Sequence, residues 1–221
     1  SIPSPFDYER NLQVLFVDER FARDELVRRT THVVTTLARK LGGRTMALFT
    51  SRDRLATVAD ELFRSLSSEG YSIIAPSTGN TDPHDLVRTF LDSEQAVLLG
   101  ARAFWQGVDI PGDACQAVVI EKLPFDVPGD PLIQRRGELI ERDGGNSFMD
   151  FMLPRMLLRL KQMIGRLIRT PTDRGLVVIV EPRCEKRYFQ AIYDALPPGA
   201  RHARVRVTDL DRILDEFLAS R

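Results

Sequence analysis

Apolar runs of strand length recur seven times along this chain, and between most of them the apolar residues switch to a helical period. The runs are "LQVLFV" (12–17), "TMALFT" (45–50), "YSIIAP" (71–76), "QAVLLG" (95–100), "QAVVIE" (116–121), "GLVVIV" (175–180) and "ARVRV" (203–207). Strands alternating with helices in this way predict one mostly parallel sheet with helices on its faces. Helices are expected at 22–41, 53–67, 83–93, 132–142, 154–169, 185–195 and 209–219, with Asp53 capping the second and Thr208, three residues ahead of Asp211, capping the last. The exception is 122–131, "KLPFDVPGDP", where three Pro and a Gly forbid regular structure and force a long turn after the fifth strand.

A chain of 221 residues suffices for one substantial α/β domain. With 31 basic and 31 acidic side chains the formal charge is zero, so no global field draws it to a polyanion, and any anion site must come from local clustering. Cys115 and Cys184 show neither metal-ligand spacing nor a disulfide framework, which fits a reducing cytoplasm, and His32, His84 and His202 are scattered and carry no assigned chemistry. No apolar run approaches the roughly 18 residues that span a bilayer. The opening "SIPSPFDYER" lacks Met and reads as an interdomain connection, so the whole of 1–221 is expected to be a single domain excised from a longer chain.

Local clustering is strongest in "PRMLLRLKQMIGRLIRT" (154–170). Arg155, Arg159, Gln162, Arg166 and Arg169 follow spacings of four, three, four and three, which puts them on one helix face opposite Met156, Leu157, Leu160, Ile164, Leu167 and Ile168. From Phe151 to Thr172 there is no Asp or Glu, so the face is expected to be left unneutralised within its own domain and to meet an external anion. A solvated basic stripe is the competing explanation. Gly165 in mid-helix costs about 1 kcal/mol against Ala, a loss that makes sense if a ligand or another backbone must come close. Arg166 and Arg169, with Gln162 one turn earlier, form a fork suited to phosphate oxygens.

"QMIGRLIR" resembles motif VI of the superfamily 2 helicases, in the form used by the DinG/XPD-like group. Other matches follow in that family's order: "ALFTSRDRL" (47–55) resembles motif IV, "ARAFWQGVDIPG" (101–112) motif V, "EKLPFDVPGDPL" (121–132) the Pro-rich turn after it, and "SPFDYERN" the junction between two motor lobes. The resemblance implies a RecA-like three-layer α/β/α domain, the C-terminal motor lobe of an ATP-dependent DNA helicase that moves 5′ to 3′. It implies that Arg166 and Arg169 act as arginine finger and phosphate sensor, that Gln162 orients the attacking water or a phosphate oxygen, and that Gly107, Asp109 and Gly165 line the nucleotide. Motif V often has Glu where this chain has Gln106, which leaves no acid or metal role there.

Thr50, Ser51 and Arg52 follow a strand and precede a helix, so their hydroxyls and backbone N–H groups are placed to hold a nucleic-acid phosphate, the alternative being a capping segment with nothing bound. Of Phe104 and Trp105, at least one is expected in the core, which leaves Trp105 to stack on a base.

The chain has no Walker A loop and no D-E-A-H segment, so ATP and Mg²⁺ would be held mainly by a first RecA-like lobe, and no metal site is expected here. The four cysteines that many DinG/XPD-like members use for an iron–sulfur cluster are absent, so the resemblance assigns any such cluster to the rest of the parent chain. Partners implied are that first lobe and single-stranded DNA, with no membrane. Alone, the fragment should be catalytically silent. Two other readings remain: a non-catalytic module that binds single-stranded nucleic acid or protein through the same basic face, and an unrelated nucleotide-binding domain with "LGGRTM" (41–46) as its poor phosphate loop.

Overall fold

A computed structural model describes residues 6–17, 21–22, 24–77, 82–101, 104, 110, 112–127, 129–165, 167–168, 170 and 172–219. Its strands are β1 (Leu12–Val17), β2 (Thr45–Leu48), β3 (Ser72–Ile74), β4 (Ala96–Gly100), β5 (Ala117–Ile120), β6 (Gly175–Val180) and β7 (Arg201–Val205). They form one seven-stranded sheet in the order β3-β4-β2-β5-β6-β1-β7, with every pairing parallel. The helices are α1 (Tyr8–Asn11), α2 (Glu25–Leu41), α3 (Arg52–Leu66), α4 (Pro83–Asp92), α5 (Pro131–Arg142), α6 (Leu153–Ile164), α7 (Phe189–Ala195) and α8 (Leu210–Ala219).

Parallel strands need crossovers, and the crossovers bury the sheet on both sides. Met46 and Leu48 of β2, with Val177 and Ile179 of β6, pack under α4, α6 and α7. Ala47 of β2 and Leu176, Val178 and Val180 of β6 turn the other way, under α2, α3 and α8. Period-two alternation thus splits one apolar run between two cores, the α/β/α arrangement expected from the sequence.

Several boundaries move for local reasons. The cap of α3 is Ser51, whose Oγ accepts the Arg54 N–H at 3.4 Å, and Asp53 lies inside the first turn. Thr208 sits within a 3₁₀ turn, Val207–Asp209, that precedes α8. Helix α2 starts at Glu25 rather than 22 and closes at Gly42, whose φ of 63° is left-handed and suits a residue without Cβ. Residues 183–188 are turns, so α7 is shorter than the expected 185–195. Strand β7 runs two residues earlier than expected because Gln13 of β1 pairs with Arg201; as an edge strand it tolerates Arg201 and His202 in the open.

The largest departure concerns the basic helix. A π-helical turn, Phe148–Met152, leads into α6, and α6 stops at Ile164, with Gly165 as its cap at φ −63°, ψ −6°. Gly165 is therefore not a mid-helix weakness, and the penalty expected for one does not apply.

Candidate functional site

Helix α6 buries Met156, Leu160, Met163 and Ile164 against the sheet, and Leu167 and Ile168 beyond it are buried too, while Leu157 is half-buried. Its polar face behaves differently at its two ends. At the amino end, Arg155 Nε donates to Asp126 Oδ2 at 2.8 Å, and Arg159 pairs with the other oxygen of the same carboxylate while its second nitrogen donates to the Pro124 carbonyl at 3.1 Å. Asp126 is buried at 3% exposure. Burial alone would push this carboxyl up; the hydrogen bonds from Arg155 and Arg159 outweigh it and hold the group below its ordinary value.

The expectation of a face unneutralised along its whole length is thus corrected for Arg155 and Arg159. Their acid comes from the Pro-rich turn, 29 and 33 residues away in sequence, where no local window could find it. At the carboxyl end, Gln162 is exposed, and among the described residues nothing engages its amide. Arg166 and Arg169 lie outside the described residues. Among the described residues a Cβ at Gly165 would meet only Lys161 O at 3.1 Å and Gln162 O at 4.0 Å, so no other described element occupies the space that glycine leaves.

The Pro-rich turn is itself anchored at two more residues, Phe125 and Leu123. Phe125 stacks on Phe148 of the π-helical turn at 5.7 Å, and the Arg183 guanidinium lies 5.6 Å from the Phe125 ring centre. Glu181, fully buried at the end of β6, accepts the Leu123 N–H at 3.2 Å and holds Arg183 through Nε at 2.6 Å. That bond to Glu181 raises the Arg183 pKa further.

Beyond β2, Thr50 belongs to a closed network. Its hydroxyl donates to Glu121 Oε2 at 3.3 Å and accepts from Arg54 at 3.0 Å, and Arg54 also pairs directly with Glu121, which is 1% exposed. The Thr50 side chain is therefore engaged within the lobe. Ser51 Oγ uses its acceptor for the cap, and among the described residues its proton has no acceptor. Arg52 is exposed and unpartnered among them. This leaves one hydroxyl donor, one guanidinium and the first-turn N–H groups at the amino end of a 15-residue helix. Sequence reasoning missed Arg54, Glu121, Glu181 and Arg183; the available signal was two apolar strands each followed by Glu.

Trp105, Gly107 and Asp109 of motif V lie outside the described residues. Phe104 is buried at 2%, and a Cβ at Gly100 would come within 2.5 Å of its ring, so Phe104 is core packing. The end of motif V meets the turn that follows motif VI: a Cβ at Gly112 would lie 2.3 Å from the Asp173 carboxylate, which accepts the Thr170 N–H at 2.8 Å. Cys115 is buried, and burial pushes its thiol up to about 12, which makes it inert. No group of three metal-ligating side chains occurs among the described residues, and none of their helices is long and apolar enough to cross a membrane. An open depression lined by Asp7, Glu9, Arg10, Arg174 and Arg201 lies at the amino ends of β1, β6 and β7, away from these loops.

Parallel strands in this order, covered by helices on both faces and carrying polar loops at their carboxyl ends, define a RecA-like lobe. Residues 34–199 match the helicase C-terminal domain family, and the chain belongs to that family in its DinG/XPD-like branch. It is 36% identical over 202 residues to the 3′-5′ exonuclease DinG of Bacillus subtilis, covering 89% of this chain and 22% of that protein. It is 34% identical to the ATP-dependent DNA helicase YoaA of Escherichia coli, covering 90% of this chain and 31% of that one. The chain thus spans between about a fifth and a third of the length of such curated relatives. A solved structure of XPD in its apo form superposes with a TM-score of 0.62 at 16% identity, covering 90% of this chain and 40% of XPD, a likeness of fold.

Proposed function

We propose that this chain is the second motor lobe of an ATP-dependent DNA helicase that translocates 5′ to 3′ on single-stranded DNA in the cytoplasm. In this reading Arg166 and Arg169 supply the arginine finger and sensor for the triphosphate, worth on the order of 10³ to 10⁵ in rate. Gln162 orients water or a phosphate oxygen, and Gly107, Asp109 and Gly165 line the nucleotide. Ser51 and Arg52, held by the α3 cap, with the Thr50 backbone and Trp105, form part of the DNA track. The first lobe of the parent chain would hold most of ATP and its Mg²⁺, and any iron–sulfur cluster would lie outside this lobe.

One observation carries the reading. Asp126 clamps the amino half of α6, and among the described residues the carboxyl half is left with an exposed, unpartnered Gln162 three residues ahead of Gly165, where an added Cβ would meet only the carbonyls of α6 itself. A rigid helix that ends in free hydrogen-bonding groups suits a ligand brought by another domain. In the full-length protein, Arg166→Ala or Arg169→Ala should collapse DNA-stimulated hydrolysis while ATP affinity stays within several-fold. Near-normal turnover in both variants would refute the assignment. Unwinding of substrates with opposite tail polarities tests the direction of travel.

A further inference from the structure

Beyond the carboxyl ends of the adjacent strands β2, β5 and β6, Arg54 in the first turn of α3, Lys122 and Arg183 lie against Glu121 and Glu181. Both oxygens of both carboxylates are taken. Arg54 binds Glu121 through both of them, and Thr50 adds a bond to one. On Glu181, Oε1 accepts the Arg183 N–H and Nε, and Oε2 accepts the second guanidinium nitrogen and the Leu123 N–H. Lys122 stands between these pairs, half-buried, and among the described residues no hydrogen bond or ion pair engages its ammonium. Three cations face two anions.

We propose that Lys122 is a phosphodiester-binding cation of the single-stranded DNA track, set between the Ser51 end of α3 and the Arg183 turn. The proposal rests on the helicase reading above and names a residue for it. A half-buried charge without a partner is costly unless an anion meets it in the working state. Burial, and next Arg183, push this ammonium below the usual lysine range, as expected where the local acids are already matched.

Placement favours the strand over the triphosphate. The Thr50–Glu121 bond sets Lys122 one residue from the loop assigned to DNA, whereas α6 is tied to Asp126, further along the turn. Neighbouring strand ends lie about 4.8 Å apart, so Lys122 after β5 stands one strand over from Ser51 after β2, within reach of the same sugar–phosphate backbone.

The test is fluorescence anisotropy of the full-length protein on a labelled oligo-dT over a range of salt concentrations, without nucleotide. One lost phosphate contact should flatten the slope of log K against log salt by about 0.7. Lys122→Gln and Lys122→Met should each show that change, and Lys122→Arg should retain the wild-type slope. An unchanged slope in a folded neutral variant overturns the proposal. So does unfolding of both neutral variants but not of Lys122→Arg, which would make the cation structural. Loss of affinity for a non-hydrolysable ATP analogue with an intact DNA slope overturns it too, by turning Lys122 toward the nucleotide. A wild-type protein that binds no oligo-dT would instead remove the helicase reading itself.

Discussion

Asp126 shows how a single side chain changes the meaning of a motif. Read along the helix, Arg155 and Arg159 belong to the same cationic face as Arg166 and Arg169; in the fold they share one buried carboxylate. Arg155 is 44% exposed and contributes little, whereas Arg159 at 15% sits in a drier setting. Asp126→Asn should therefore destabilise the protein by about 2 kcal/mol at neutral pH, somewhat less than loss of a fully buried pair. The carboxyl's pKa is depressed in the folded state. Its stabilisation is fully present above the unfolded value of about 3.9 and fades as pH falls through the lower folded value. Thermal melts of wild type and variant should accordingly differ most near neutrality and converge in acid; a difference independent of pH would contradict the pairing.

Among elements, the segment that follows α6 owes its position to the start of β6. A Cβ on Gly175 would fall 2.2 Å from Leu167, whose side chain lies where another residue's would be. Gly175→Ala should displace Leu167, and with it the stretch that carries Arg166 and Arg169. Overpacking of this kind costs about 1 to 3 kcal/mol, read as a lower urea midpoint at unchanged m, and DNA-stimulated hydrolysis should fall as well. A midpoint equal to that of wild type would show that Leu167 relocates freely. The sequence offers only half of this. "RLIRTPTDRGLVVIV" announces a helix end, a turn and a strand through its Pro, Thr and Gly residues. That Leu167 packs over Gly175 depends on the turn bringing them together. Likewise "ALFTSRDRL" reveals the capped helix after β2, although the choice of Ser51 over Asp53 was settled by backbone geometry.

At the scale of the whole molecule, among the described residues Ser51, Arg52 and Lys122 at the carboxyl edge of the sheet and Gln162 near the end of α6 keep hydrogen-bonding groups without a partner. As an isolated chain it should show no measurable ATPase with or without DNA, because its sequence has no Walker A loop to cradle a triphosphate. Activity that persists through stringent purification would mean that a phosphate site has been overlooked. What the sequence alone determined is the alternation of strands and helices, the α/β class, and the approximate ends of nearly every element, since periodicity, caps and proline act over a few residues. The tertiary structure decided which charges remain without a partner. Whether a guanidinium or an ammonium is neutralised turns on separations of a few ångströms between residues far apart in sequence, and the order of strands in the sheet sets those separations.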